Sequence, residues 1–69
     1  MTTLQKAGLL ALLPKMSKID AMECAIEFQR EYGERIDWHE FAYYLGALAT
    51  KKVLTITQPG GMVQYKFNS

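Results

Sequence analysis

Cysteine and histidine each occur once in this chain, as Cys24 and His39. One thiol excludes an internal disulfide, and one thiol with one imidazole excludes a zinc cluster, which needs several such ligands. A small chain with a free thiol and no covalent staple is expected in a reducing compartment, the cytoplasm. Long apolar runs are missing as well. The longest near the N-terminus, Leu9 to Leu13, is broken by Pro14 and falls far short of the ~20 residues that cross a bilayer. No basic segment with a cleavage site precedes it, so neither a signal peptide nor a membrane partner is expected. No glycine-rich loop opens a helix, which excludes a nucleotide cradle. Ser17, Ser69 and one histidine make no nucleophilic triad. The carboxylates fall on a polar helical face, without the apolar pocket that would push two of their pKa values apart. No catalytic residue, metal ligand or cofactor is expected, and the chain does not read as an enzyme.

What is present is core material. Hydrophobic residues make up 49% of the 69 positions, enough for one small domain spanning 1–69 and too many for a disordered chain. The net charge of +1 hides an uneven distribution. All seven acids (Asp20, Glu23, Glu27, Glu31, Glu34, Asp37 and Glu40) lie between positions 20 and 40. Against only Arg30 and Arg35 they leave that stretch at −5, while six lysines (Lys6, Lys15, Lys18, Lys51, Lys52, Lys66) give the remainder +6. Such asymmetry bears on partners more than on fold.

Three helices and a hairpin follow from the periodicity. Thr2 or Thr3 caps a first helix running through Leu4, Leu10 and Leu13, which ends at Pro14. Ser17 is the expected cap of a second helix, with Asp20 in its first turn. Ala21, Ala25, Phe28 and Tyr32 form its buried stripe with Met22 beside them, and Cys24 flanks that stripe as a small hydrophobe. Asp20, Glu23, Glu27 and Arg30 lie on its other side. Gly33 ends it. Asp37 and Glu40 read as a capping box opening a third helix, 37–52. Phe41, Leu45 and Leu48 are its core stripe, with Trp38 and Tyr44 on the shoulders. Tyr43 and Tyr44 are adjacent and point about 100° apart, which leaves Tyr43 outside with His39, Gly46 and Thr50. The period then changes to two over Val53–Thr57 and Met62–Phe67, around the turn Pro59-Gly60-Gly61. Leu54, Ile56, Val63, Tyr65 and Phe67 are expected to pack this hairpin on the helices.

Helices followed at once by a hairpin give a mainly α fold with a two-stranded C-terminal wing, a winged helix-turn-helix. The segment from Phe41 to Phe67, FAYYLGALATKKVLTITQPGGMVQYKF, resembles the recognition helix and wing of bacterial regulators of the MarR and ArsR kind. Leu45 and Leu48 match the leucine pair of that signature, and Lys51-Lys52-Val53-Leu54 its basic turn into the strand. Gly60-Gly61 matches the wing tip and Tyr65 the last strand. The resemblance implies a small DNA-binding transcriptional regulator whose partner is double-stranded DNA. His39, Tyr43, Ala47 and Thr50 would then face the bases, and Lys51, Lys52 and Lys66 the backbone. The chain departs from the pattern in two places: small residues surround the helix's polar positions, and no cation stands at the tip.

The same residues admit other readings. His39 also reads as a surface histidine in a helix's first turn. Tyr43, among Ala42, Gly46 and Ala47, reads as an interface anchor or as an exposed residue on a good helix former. The acidic run Asp20, Glu23, Glu27 reads as a solvated face or, with Tyr43, as the surface of a protein-binding adaptor or inhibitor that takes a basic protein partner. A homodimer stays open.

Overall fold

The computed structural model describes residues 1–58 and 63–68; the expected turn at Pro59-Gly60-Gly61 lies outside them. Three helices, α1 (Thr3–Leu12), α2 (Ala21–Tyr32) and α3 (Trp38–Thr50), precede an antiparallel hairpin of β1 (Leu54–Ile56) and β2 (Tyr65–Phe67). Leu54 pairs with Phe67, Thr55 with Lys66 and Ile56 with Tyr65. This is the element order expected of a winged helix-turn-helix, with shorter strands and an α3 trimmed at both ends.

Local chemistry explains each boundary. Thr2 and Gln5 cap α1 reciprocally: the Gln5 N–H donates to Thr2 Oγ1 at 3.1 Å and the Thr2 N–H to Gln5 Oε1 at 2.8 Å. Pro14 sits in a single 3₁₀ turn, Leu13–Lys15, after which Met16 is extended. The cap of α2 is Asp20, not Ser17. Its carboxylate accepts the Glu23 N–H at 2.8 Å, and its backbone is extended at φ −146°. The reason lies one residue earlier. Ile19 forms an isolated antiparallel bridge to Tyr65, whose N–H donates to the Ile19 carbonyl at 2.9 Å. A residue held in sheet pairing cannot lie in a helix, so α2 starts beyond it. Gly33 closes α2 as expected, at φ +70°, where a Cβ would be strained. Asp37 caps α3 alone: it accepts the His39 N–H at 3.1 Å. The expected reciprocal bond from Glu40 is missing, because the Glu40 carboxylate takes the Met1 amine at 2.6 Å.

The core is Leu9, Leu13, Ile19, Cys24, Phe28, Phe41, Leu45, Leu48 and Leu54. Full burial of one such Leu, Ile or Phe side chain is worth roughly 1.5–3 kcal/mol. The Phe28 and Phe41 rings meet at 5.7 Å between α2 and α3. The third helix's stripe is as expected; others shift. Leu9 and Leu12 are the buried residues of α1, with Leu13 buried just beyond it, and Leu4 and Leu10 are exposed. In α2 the stripe centres on Cys24 and Phe28, leaving Met22 outside. Tyr32 lies across α1 instead, its hydroxyl donating to the Gly8 carbonyl at 3.0 Å. Ile56 and Val63 are exposed; Leu54, with Tyr65 and Phe67 at its edge, joins the hairpin to the core.

Cys24 has no exposed surface, and its thiol pKa is pushed up to about 12, first by burial and then by the Asp20 and Glu23 carboxylates. Only the thiolate reacts. Iodoacetamide at mildly alkaline pH should therefore leave the folded chain unmodified and label it fully after unfolding. Labelling of the folded chain at the unfolded rate would contradict this burial. The raised pKa also means that the thiol's contribution to stability is complete below its unfolded value of 9.0 and is lost as pH rises toward about 12.

Candidate nucleic-acid interface

One face of α3 turns away from Phe41, Leu45 and Leu48. His39, Tyr43 and Thr50 are exposed on it, with Gly46 and Ala47 half-buried between them. Tyr43 is 84% exposed, so its ring and hydroxyl are free for a partner. The Thr50 hydroxyl donates to the Gly46 carbonyl at 3.1 Å, leaving its oxygen as an acceptor. His39 is held more firmly. Its ring stacks on Trp38 at 3.8 Å, and Nδ1 lies 3.0 Å from Asp37 Oδ1. Asp37 is itself held below the usual carboxylate range, chiefly by the backbone N–H of His39 and then by its ring.

At the other end of α3 stand Lys51 and Lys52, both exposed. The Lys52 N–H donates to Ala49 O at 3.1 Å and the Val53 N–H to Leu48 O at 2.9 Å. These two bonds make a Schellman motif, whose left-handed position usually belongs to glycine. Here it belongs to Lys52, at φ +63°, the one non-glycine residue with positive φ among those described. A side chain in that region costs about 1–2 kcal/mol. Lys52→Gly separates this strain from the DNA contact that the resemblance implies for Lys52. It should stabilise the fold by up to about 1 kcal/mol, since glycine's extra chain entropy offsets part of the relief. If that contact exists, the same change should weaken binding to duplex DNA. Thermal melting with a duplex titration checks both signs; stability unchanged or lowered would contradict the strain.

Surface hollows sort the remaining candidates. The first, of about 430 Å³ between α1 and α3, is lined by His39, Glu40, Tyr43, Tyr44 and Ala47 of α3 and by Lys51 at its C-terminal cap, with Met1 and Lys6 from the N-terminal end. The second gathers Glu23, Glu27 and Glu31 of α2 against Lys15 and Lys18 of the connection before it. The acids thus face this chain's own lysines, on a different hollow from the outer residues of α3. Asp20 is not on that surface: it is buried at its cap, 3.7 Å from Lys18. Glu27 is already engaged by Arg30 at 2.7 Å. Tyr43 and the acids, expected to act together in a protein interface, line different hollows. Lys66 is also apart from α3; it shares a hollow with Met16 and Lys18.

The third is an apolar groove of about 400 Å³ on the other flank of α3, lined by Met22, Trp38, Ala42, Val63 and Tyr65. Sequence reasoning does not find this groove, because Met22 reads as core. Nor does it find Lys6, which only the packing of α1 brings beside α3. Among the described residues no three His, Cys, Asp or Glu side chains gather to hold a metal, and no helix is long and apolar enough to cross a membrane. Compared with known proteins, the chain matches no family model, no curated protein and no solved structure.

Proposed function

We propose that the chain is a small DNA-binding regulator of the winged-helix kind, with α3 as its recognition helix. One observation carries the reading. His39, Tyr43 and Ala47 of α3 share a hollow with Lys51, while Glu23, Glu27 and Glu31 line another with Lys15 and Lys18. Phosphate contacts supply most non-specific affinity for DNA, and an acidic face turned toward the chain's own lysines opposes them less than one lining the same hollow as Tyr43 and Lys51 would. Ile19 supports the reading too, since its bridge to Tyr65 ties the hairpin to the start of α2 and so fixes the wing relative to the recognition helix. Tyr43 and Thr50 then meet base edges, with His39 at the helix's leading end and Ala47 allowing close approach. Lys51 and Lys52 meet phosphates. Fluorescence anisotropy with a random-sequence duplex tests this: binding at ~50 mM salt that falls by a log–log slope of about 0.9 per phosphate contact is expected. No binding at that salt would overturn it.

The apolar groove favours a second reading, a protein-binding adaptor or inhibitor. Exposed Trp38 and Met22 beside Val63 are the composition of an interface anchor. Under that reading Trp38→Ala abolishes capture of a protein partner and leaves duplex affinity, if any, unchanged.

A further inference from the structure

We infer that the hollow between α1 and α3 seats DNA phosphate, and that Lys6 of α1 is a backbone contact acting with Lys51; this rests on the DNA-binding reading above. Lys6 and Lys51 come from opposite ends of the sequence and line the same hollow as His39 and Tyr43. Its one carboxylate, Glu40, is bound to the Met1 amine at 2.6 Å. The ion pairs among the described residues involve neither Lys6 nor Lys51. Two ammonium groups therefore face the hollow without a carboxylate partner.

Lys6 is also placed. Its Nζ lies 5.5 Å from the centroid of the half-buried Tyr44 ring, within the range of a cation–π contact. That contact holds the amine over the flank of α3 and leaves its N–H groups for an acceptor. Any duplex that brings bases to Tyr43 must carry a strand of phosphates past this flank, because Tyr43 lines the same hollow. A spread anion fits it better than a single carboxylate, since one amine stands on α1 and the other just beyond the end of α3, along an open surface.

The test uses the full chain and a fluorescent random-sequence duplex across a salt series. Lys6 is exposed, so Lys6→Ala should leave the melting temperature nearly unchanged. It should weaken binding about tenfold at ~50 mM salt and take about 0.9 from the salt slope, as loss of one phosphate contact does. Lys6→Arg should keep both. Lys15→Ala removes the same charge from the acidic hollow and should change affinity far less. A millimolar addition of inorganic phosphate should displace the duplex no more than sodium chloride of equal ionic strength. Lys6→Ala indistinguishable from Lys15→Ala would overturn the Lys6 contact while leaving the DNA reading in place. Specific displacement by inorganic phosphate would overturn the duplex as the hollow's ligand. A wild-type chain that binds no duplex would overturn both.

Discussion

Phe41→Ala is expected to cost about 3–5 kcal/mol of stability, the range for truncating a fully buried aromatic side chain. Phe41 has no exposed surface and sits where α3 meets α2, its ring 5.7 Å from that of Phe28. A chain of 69 residues has only roughly 3–10 kcal/mol to lose, at about 0.05–0.15 kcal/mol per residue. The variant should therefore be largely unfolded, or fold only well below the wild-type melting temperature. Leu4→Ala is the matched control. Leu4 is 82% exposed, and truncation there should stay within about 0.5 kcal/mol. Urea unfolding followed by far-ultraviolet circular dichroism measures both. Equal shifts in the two variants would show that α3 does not pack on α2 through Phe41.

Lys51→Ala with Lys52→Ala is expected to lower affinity for random duplex by on the order of a hundredfold at ~50 mM salt. The magnitude follows from the slope of about 0.9 per phosphate: referred to molar salt, each contact is worth roughly tenfold at that concentration. The salt slope should fall by about two units, and every sequence should lose affinity alike, because phosphate contacts carry no base information. Tyr43→Ala should behave differently, narrowing the gap between preferred and random sequences with little change of slope. A double lysine variant that binds as the wild type does would remove α3's C-terminal end from the interface.

Much of this architecture is legible in the residues. The spacing of Phe41, Leu45 and Leu48 is enough to orient α3, and with it the outward direction of Tyr43. The change of period after Thr50 is enough to place the hairpin, and Gly33 marks the end of α2. Ser17 against Asp20 is another matter. Both are good caps three residues apart, and the choice is made by the Ile19 pairing with Tyr65, a single bridge that leaves no periodic trace. In and just after α1 the leucines at 4, 9, 10, 12 and 13 allow several stripes, and tertiary packing selects Leu9, Leu12 and Leu13.

The candidate site divides in the same way. Which residues of α3 point outward is a local property of one helix, so His39, Tyr43 and Thr50 are readable in advance. What lies beside them is tertiary. The acidic bias of residues 20–40 is plain in the sequence, yet its direction depends on how α2 is rolled. Because Cys24 and Phe28 face the core, Glu23, Glu27 and Glu31 fall toward Lys15 and Lys18, and Met22 falls toward Trp38. The strain at Lys52 has no sequence signal except the absence of a glycine where the helix ends.

The most direct test of the account is a map of amide chemical-shift changes in the isotope-labelled chain as a short random duplex is added at low salt. Shifts should concentrate at Lys6, His39, Tyr43, Ala47, Thr50, Lys51 and Lys52, and leave Glu23, Glu27 and Glu31 unmoved. Shifts confined to Met22, Trp38, Ala42 and Val63, or none at all, would contradict it.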